Sequence, residues 1–358
     1  MPPSSIFVAG GAGFIGTNFI HAWLDESPSL IVMVDKGTYA AGAGNLAQLE
    51  RDRPLQVVAG DIGDRALMRQ VLGEHRPAAI INFAAETHVD RSILYPEEFV
   101  QTNVMGTFNL LDEARQYWNG LPDAEKGAFR FLQVSTDEVY GSLTAEEAPC
   151  NEAKSPAPNS PYAASKAAAD QFVRAFHQTY GLPTQIARCC NNYGPFQHPE
   201  KLIPHIIHKA LREEPLPIYG DGRQIRDWLY VGDHCAALRG IIARGRPGEV
   251  YNISARVERT NLQVVRAICA ILDRECPRKS GSYSKLIAHV ADRPGHDRRY
   301  ALDSSKLAGE VNWRAEESFE TGLEKTVRWY LTNVEWVSAV ADGSAYRAWV
   351  SVNYNQRR

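Results

Sequence analysis

Three short stretches of the sequence carry residue types that together could couple a redox reaction to an elimination. Residues 10–16 are rich in glycine and have the spacing of a dinucleotide-binding turn. Tyr162 precedes Lys166 by four residues, a spacing that places a phenol beside an ammonium on a helix. Asp137 and Glu138 are adjacent carboxylic acids, which a hydride transfer alone would not require. A cofactor site, a base and a further acid–base pair predict oxidation followed by elimination.

The glycine-rich turn predicts a site for the pyrophosphate of a dinucleotide. Gly11, Gly13 and Gly16 follow an apolar strand and open a helix, which is the context that the pattern Gly-x-Gly-x-x-Gly requires. A Cβ there would keep the pyrophosphate from the free N–H groups of the helix N-terminus. Asp35 ends the second strand, 19 residues after Gly16, where a carboxylate accepts ribose hydroxyls and repels a 2′-phosphate. We therefore predict NAD rather than NADP, and only Lys36 leaves NADP open.

Further cofactor contacts are expected at the carboxyl ends of the third and fourth strands, where doubly wound sheets bind ligands. Asp61 and Ile62 could meet the adenine there, and Ala84 and Ala85 are small enough to let a cofactor pass, although plain packing would also explain these residues. The predicted cofactor site consists of Gly10, Gly13, Phe14, Ile15, Gly16, Asp35, Lys36, Thr38, Asp61, Ile62, Ala84, Ala85, Thr102, Tyr162, Lys166 and Asn192.

Tyr162 and Lys166 lie on one face of a helix that is predicted to begin at residues 159–161, a cap and a helix-start proline. A phenol with a pKa of about 10 is a poor base at neutral pH, but a nearby ammonium stabilises the phenolate and lowers that pKa. The spacing is common in helices by chance. Its position behind a nucleotide-binding turn favours a catalytic pair over a structural one.

Asp137 and Glu138 follow the fifth predicted strand and are therefore expected at the ligand-binding edge of the sheet. Two adjacent carboxylates cannot both be ionised cheaply in a dry cleft, so one should keep its proton. Such a division provides one acid and one base. The alternative is a solvated turn, which adjacent acids often form.

The order of apolar segments predicts an α/β fold, a doubly wound parallel sheet of the Rossmann type with a smaller C-terminal α/β substrate lobe. Apolar runs at 6–9, 30–34, 55–59, 79–83, 129–134 and 184–188 read as strands, with helical stretches between them. Prolines and glycines become frequent after residue 190. We therefore assign residues 1–190 to the NAD-binding domain, with a re-entrant segment near 226–260, and 191–225 and 261–340 to a nucleotide-sugar-binding lobe.

The composition excludes several other classes of protein. The 358 residues carry a net charge of −3, so the basic surface of a nucleic-acid-binding protein is missing. No apolar run reaches the roughly 18 residues of a membrane span, and the N-terminus does not resemble a signal peptide. The six scattered cysteines form no Cys-x-x-Cys pair and favour reduced thiols in the cytoplasm. No metal site is predicted.

Several longer motifs then relate the chain to a known family. They lie at residues 10–16, 84–92, 135–141, 191–195, 200–204, 226–231 and 293–300. In these motifs, and from Phe7 to about Trp336, the chain resembles the extended short-chain dehydrogenase/reductases and, among them, the nucleotide-sugar 4,6-dehydratases. Related sugar epimerases resemble this chain less at Asp137 and Glu138, where they have a serine and a small residue.

The resemblance implies a lyase with an internal redox cycle. Tyr162, assisted by Lys166 and Thr136, would take the proton of the glucose 4-hydroxyl while a hydride passes to NAD. Glu138 would remove the C5 proton, Asp137 would protonate the departing C6 hydroxyl, and the hydride would return to C6. NAD would stay bound through turnover, and the 4-keto-6-deoxy product would serve deoxysugar synthesis such as that of rhamnose.

The resemblance also implies a binding site for the nucleotide sugar in the second lobe. Arginine and lysine side chains would meet the pyrophosphate, although Arg298 and Arg299 would also suit a solvated basic face, and Tyr219 would stack on the base. Thymidine and uridine are not distinguished. The implied substrate site consists of Thr87, Thr136, Asp137, Glu138, Asn191, Lys201, Leu202, Pro217, Tyr219, Arg226, Asn261, His296, Asp297, Arg298, Arg299 and Tyr300.

The family resemblance further implies a homodimer formed by two long helices of each subunit, which correspond here to 100–117 and 162–180. Their apolar residues would equally suit an intramolecular core. The chain departs from the family after Asp35, where Gly37 and a longer stretch at 40–45 stand near the expected adenosine site. Three other functions were weighed: a 4,6-dehydratase acting on UDP-glucose, a 4-epimerase, and an NAD-binding sensor without catalysis.

Overall fold

Strands and helices alternate along the chain in the computed structural model, which describes residues 5–38, 45 and 53–341. The strands are β1 (Ser5–Ala9), β2 (Leu30–Asp35), β3 (Leu55–Ala59), β4 (Ala79–Asn82), β5 (Arg130–Thr136), β6 (Thr184–Cys189), β7 (Asn191–Tyr193), β8 (Leu216–Tyr219), β9 (Ile225–Tyr230), β10 (Val250–Ile253), β11 (Glu258–Thr260) and β12 (Ile287–Val290). The α-helices are α1 (Phe14–Glu26), α2 (Arg65–His75), α3 (Val89–Leu94), α4 (Pro96–Phe99), α5 (Thr107–Asn119), α6 (Asp123–Ala128), α7 (Pro161–Tyr180), α8 (Leu202–Leu211), α9 (Val231–Arg244), α10 (Asn261–Glu275), α11 (Ser305–Val311), α12 (Phe319–Thr332) and α13 (Val334–Ala341). A π-helical turn, Val100–Gly106, joins α4 to α5, and 3-10 turns cover Asp137–Tyr140 and Tyr283–Leu286.

The central sheet has seven strands in the order β10-β6-β5-β4-β1-β2-β3, and each pairs with its neighbours in parallel. This arrangement confirms the predicted fold class. β1 to β6 correspond to the six predicted strands, and β10 is a seventh that the apolar pattern did not reveal. The chain reverses its direction of winding between β1 and β4, so a crevice opens at the carboxyl ends of these strands.

Apart from the edge strand β3, the central sheet is buried on both faces. Successive residues of a strand point in opposite directions, so each strand contributes to both cores. Ile6 and Val8 of β1 belong to one apolar core, and Phe7 and Ala9 belong to the other. Helices α1 and α9 pack together on the first face, while α2, α5 and α7 cover the second. Burial on both faces explains why these strands read as continuous apolar runs.

A second lobe is built around smaller sheets and its own apolar core. One sheet has the order β11-β9-β7, and β8 pairs with β12 in another. Helices α8, α10, α12 and α13 supply the core that packs behind them. Within the re-entrant segment, α9 and β10 pack with the central sheet, whereas β9 and β11 pair in the three-stranded sheet.

Only part of the unusual loop after Asp35 is described. Residues 36–38 and Asn45 are described, while 39–44 and 46–52 fall outside the described residues, and the prediction about the length of this loop falls mostly on them. No helix within 5–38, 45 and 53–341 is both long and apolar enough to cross a bilayer.

Candidate active site

The turn between β1 and α1 is shaped by three glycines with different constraints. Gly10 has a φ of +72°, and a Cβ there would lie 2.6 Å from the backbone nitrogen of Ala84. A Cβ on Gly16 would lie 2.5 Å from the carbonyl oxygen of Gly10. Among the described residues, a Cβ on Gly13 would meet no atom closer than 3.5 Å, and Gly13 lines the cavity at the N-cap of α1. The protein thus leaves open the space that a pyrophosphate would fill.

Asp35 lies at the carboxyl end of β2, next to this turn. Its Oδ2 accepts a hydrogen bond from the backbone nitrogen of Ala12 at 3.0 Å, and its Oδ1 accepts one from Gly37 at 2.8 Å. The carboxylate is therefore fixed beside the glycine turn, with lone pairs left for further donors. This arrangement fits the adenosine ribose of a dinucleotide.

Lys36 is engaged by neighbouring groups. Its Nζ donates to Thr102 Oγ1 at 3.0 Å and lies 3.7 Å from carboxylate oxygens of both Asp61 and Glu86. The two carboxylates surround the ammonium with negative charge, which disfavours a 2′-phosphate at this end of the cavity. The surroundings of Lys36 therefore favour NAD over NADP.

A single cavity runs along the carboxyl edge of the central sheet. It is lined by every residue predicted to bind the cofactor and by all five predicted catalytic residues. It is also lined by residues that were not predicted, namely Val34, Gly60, Phe83, Glu86, Val134, Ser135, Cys189, Cys190, Gln197, His198 and Glu200. Most of these residues are sequence neighbours of predicted ones. Extending each predicted motif by one or two residues would therefore have included them.

Tyr162 and Lys166 are buried in the first turns of α7. Ser160 caps the helix by accepting from the backbone nitrogen of Ala163 at 3.1 Å. Lys166 Nζ donates to the carbonyl oxygen of Val134 at 2.7 Å, and burial lowers the pKa of Lys166. The carbonyl of β5 thus fixes the position of the ammonium.

The pKa of Tyr162 is raised, whereas the sequence predicted that it would be lowered. Burial raises it well above its ordinary value, the charge of Glu138 raises it further, and a hydrogen bond with Thr136 opposes these effects. The sequence pattern predicted a lowering by Lys166. That prediction considered the neighbouring charge on α7 and not the loss of water around the phenol, which dominates here.

The acid pair begins where β5 ends, in the 3-10 turn Asp137–Tyr140. Asp137 is 3% exposed, its Oδ1 accepts from Thr136 Oγ1 at 3.2 Å, and its Oδ2 has no hydrogen-bond partner in the part of the chain that the structure describes. Burial raises the pKa of Asp137 well above its usual value, and the charge of Glu138 adds to this. Burial and the neighbouring negative charge thus favour the neutral form of Asp137, and its Oδ2 accepts from no group among the described residues.

Glu138 is half-buried and has different surroundings. Burial raises its pKa, but the positive charges of Arg293, Arg226 and Lys201 oppose that rise. At Asp137 the positive charge of Arg226 also lowers the pKa, but the negative charges of Glu138 and Asp227 offset that effect. The two acids are thus differentiated: Asp137 favours its neutral form and Glu138 is surrounded by cations that favour its charged form.

Three cations surround the open side of the acid pair. Arg226 of β9 donates from Nη2 to the carbonyl oxygen of Asp297 at 3.0 Å and lies 4.4 Å from the centre of the Tyr300 ring. Lys201 Nζ donates to the carbonyl oxygen of Thr87 at 2.9 Å. Arg293 pairs with Asp90 at 3.1 Å. Arg293 was quoted in a motif but was not predicted as a site residue.

Among the remaining predicted substrate residues, Thr87 and Asn191 line the main cavity, and others lie in the second lobe or in the segment after β12. The hydroxyl of Tyr219 donates to Asp90 Oδ2 at 3.2 Å, and its ring meets His296 edge-on at 6.1 Å. Asp297 accepts from Asn159 Nδ2 at 2.7 Å and from the hydroxyl of Tyr300. Pro217 shares β8 with Tyr219, and Leu202 and Asn261 open α8 and α10.

Arg298 and Arg299 lie apart from the acid pair, in a different cavity of the second lobe. Arg299 forms a two-pronged ion pair with Glu258 and also donates to the carbonyl oxygens of Thr144 and Glu147. Arg298 is exposed and pairs with Asp221 at 3.1 Å. The structure does not bring either guanidinium to the main cavity, because carboxylates of the second lobe already hold both.

Comparison with known proteins yields one consistent family. The profile of the GDP-mannose 4,6 dehydratase family matches residues 7–326. The dTDP-glucose 4,6-dehydratase of Xanthomonas campestris pv. campestris (strain B100) is 56% identical over 338 residues, 94% of this chain and 96% of the relative. The dTDP-glucose 4,6-dehydratase 1 of Escherichia coli (strain K12) is 47% identical and covers 99% of each chain.

A solved structure agrees with these relatives. DesIV, a dTDP-glucose 4,6-dehydratase from Streptomyces venezuelae with NAD and TYD bound, is 42% identical, covers 94% of this chain and 99% of its own, and superposes with a TM-score of 0.85. Fold and site together define a nucleotide-sugar dehydratase built on the short-chain dehydrogenase scaffold. More narrowly, the chain belongs to the dTDP-glucose 4,6-dehydratase family, a family of NAD-dependent hydro-lyases, and the resemblance predicted from its motifs is confirmed.

Proposed function

We propose that this enzyme converts dTDP-glucose to dTDP-4-keto-6-deoxyglucose and water, with NAD as a cofactor that is restored in each cycle. One observation supports the dehydratase function above all: Asp137, whose pKa is raised by burial, stands next to Glu138 in the cavity that is also lined by Tyr162 and Lys166. An epimerase has no step that requires such an acid couple.

The glycine turn, Asp35 and the residues around Lys36 would hold NAD. When bound, NAD supplies the acceptor and later the donor of the hydride. Gly13 and the free N–H groups at the start of α1 would face the pyrophosphate. The Asp35 carboxylate, already fixed by Ala12 and Gly37, would accept the ribose hydroxyls.

Tyr162 would take the proton of the sugar 4-hydroxyl. Burial makes its phenolate unfavourable in the free protein, so the proton transfer requires positive charge close to the phenol oxygen. Lys166 is fixed one helical turn away and can supply part of that charge. Thr136 donates its hydroxyl proton to Asp137 and can accept from the phenol or from the substrate.

The elimination would divide between the two acids. The 4-ketone acidifies the C5 proton, which the Glu138 carboxylate would accept, since Arg293, Arg226 and Lys201 favour its charged form against the effect of burial. Asp137 would give its proton to the C6 hydroxyl, which departs as water. One base and one acid in adjacent positions thus remove water across C5 and C6.

Arg226, Arg293 and Lys201 would orient the charged half of the substrate. All three act on Glu138 electrostatically, so they lie where a diphosphate would connect the sugar to a nucleoside in the second lobe. We propose that Tyr219, Pro217, Asn261 and His296 form the nucleoside part of this site. Arg299 is assigned a structural role, because Glu258 neutralises it.

We further propose a cytoplasmic homodimer. Six large apolar side chains are exposed on α3, α7, the π-helical turn and the residue before α4: Leu94, Tyr95, Val100, Met105, Phe172 and Tyr180. Such a patch on neighbouring elements is typical of a protein interface. The six free cysteines, five of them buried, suit a reducing compartment.

Product formation tests the proposed activity directly. The purified protein is incubated separately with dTDP-glucose and UDP-glucose, and the 4-keto sugar is detected by its ultraviolet absorbance in alkali. We expect absorbance with dTDP-glucose and much less with UDP-glucose. Preference for UDP-glucose would show that the enzyme is a 4,6-dehydratase of UDP-glucose instead. Conversion to a 4-epimer without loss of water would refute the dehydratase function.

A further inference from the structure

A buried side-chain bridge connects the glycine turn to the C-terminal helix of the second lobe. Asn45 Nδ2 donates to the carbonyl oxygen of Ala12 at 2.8 Å, and Asn45 Oδ1 accepts from Trp336 Nε1 at 2.8 Å. Asn45 is 1% exposed. We propose that Asn45 and Trp336 are positioning residues that keep the turn in the geometry that retains NAD.

The contact acts on the peptide unit that matters for the cofactor. The carbonyl of Ala12 and the N–H of Gly13 belong to one planar peptide, so fixing the oxygen fixes the direction of the N–H. Gly13 is the N-cap of α1, and its nitrogen makes only a long contact of 3.3 Å with the carbonyl oxygen of Gly10. On the other side, the Ala12 nitrogen is held by Asp35. Asp35 and Asn45 together therefore fix both backbone polar groups of Ala12.

Trp336 determines which way the Asn45 amide faces. An indole nitrogen can only donate and a carbonyl oxygen can only accept, so the amide oxygen must face Trp336 and the amide nitrogen must face Ala12. Trp336 is itself positioned by rings of the second lobe, with centroids 5.1 Å away at Trp329 and 6.0 Å away at Phe196. The packing of α13 thus reaches the cofactor turn.

The bridge has a use in a reaction that removes a hydride and later returns it. Loss of the reduced cofactor between the two transfers would strand the sugar as a ketone, so a turn held from both lobes protects the cycle. This inference rests on the cofactor part of the proposed function and not on the identity of the sugar nucleotide.

Two variants each remove one of the two hydrogen bonds of the bridge. Trp336→Phe keeps an aromatic ring in the cluster and leaves Asn45 Oδ1 buried without a donor, which is unfavourable. Asn45→Asp keeps an acceptor for Trp336 but replaces the donor to Ala12 with a carboxylate. Trp329→Phe is the matched control, since it removes an indole from the same cluster and does not touch Asn45.

The measurement is the rate at which NAD leaves the purified holoenzyme, followed by filtration and chromatography, together with the melting temperature of the cofactor-free protein. We expect NAD release to be faster by about tenfold in Trp336→Phe and Asn45→Asp, which corresponds to about 1.4 kcal/mol. Trp329→Phe should release NAD at the parental rate.

Parental release rates in both bridge variants would overturn the proposal. Equal acceleration in Trp336→Phe and Trp329→Phe would also overturn it, because packing of the cluster would then explain the effect. Should Trp336→Phe not fold, Asn45→Asp, which leaves the aromatic cluster intact, decides alone. Because NAD release needs no sugar substrate, failure of the proposed dehydratase activity would be seen separately.

Discussion

Asp137 and Glu138 are neighbours in the sequence but meet different surroundings. Asp137 is buried; its Oδ1 accepts a hydrogen bond from Thr136, and its Oδ2 has no partner among the described residues. Glu138 faces three cations that favour its ionised form. The sequence predicted that one of the two would keep its proton, and burial with little cationic compensation favours Asp137 for that role, which no local pattern reveals.

Replacing Asp137 should stabilise the protein at neutral pH. Burial raises the pKa of Asp137 in the folded chain above that of the unfolded chain. The folded state then binds more protons, so the free energy of unfolding falls as the pH rises above about 3.9, the ordinary pKa of an aspartate. We expect Asp137→Asn to unfold at higher urea concentration than the parent, with a difference that grows from pH 5 to pH 8.

A matched surface variant separates this effect from general changes in charge. Asp123 is fully exposed on α6, and Asp123→Asn should leave the pH dependence of unfolding as it is in the parent. A constant difference between Asp137→Asn and the parent across the pH range would contradict a raised pKa.

At the scale of elements, the segment β1–turn–α1 was the most predictable part of the chain. A short apolar run, glycines and a helical spacing specify it locally, and the same reasoning located β2 to β6. β10, Val250–Ile253, was missed because it is recognised by its pairing with β6 rather than by its composition. The sequence also did not reveal where the Arg299 guanidinium lies, since its ion-pair partner Glu258 is 41 positions away.

The glycine turn offers a prediction that separates folding from cofactor binding. The nearest described atom to a Cβ at Gly13 would be the Gly10 carbonyl oxygen at 3.5 Å, whereas a Cβ at Gly16 would lie 2.5 Å from that same oxygen. Gly13→Ala should therefore keep the melting temperature of the cofactor-free protein and weaken NAD binding at least about tenfold, a loss of about 1.4 kcal/mol. Gly16→Ala should lower the melting temperature even without NAD. Normal NAD affinity in Gly13→Ala, measured by calorimetry, would count against the proposed pyrophosphate position.

At the scale of the whole molecule, two lobes contribute to one reaction. The lobe built on the central sheet supplies the cofactor turn, Tyr162 of α7 and the acid pair after β5, and the second lobe supplies Arg226 and Arg293 through β9 and the segment after β12. The family motifs predicted this division, but the sequence could not show which of several arginines reaches the acids. That choice depends on side-chain partners that are distant in sequence.

The proposed dimer interface is tested by a charge on α7. Phe172 is 39% exposed within the apolar patch, and a buried carboxylate there would be unfavourable in an interface. Phe172→Glu should shift the protein from dimer to monomer in sedimentation experiments. Val57→Glu is the control, because Val57 is also exposed but lies on β3. Identical sedimentation of the parent and Phe172→Glu would exclude this face as the interface.

The central claim is that Glu138 removes the C5 proton after the sugar has been oxidised. Glu138→Gln keeps the shape of the side chain and removes the base. In a single turnover with dTDP-glucose, we expect this variant to accumulate the absorbance of reduced nicotinamide and to form almost no 4-keto-6-deoxy sugar. Product formation at the parental rate, or an equal loss of nicotinamide reduction and of product, would contradict the assignment.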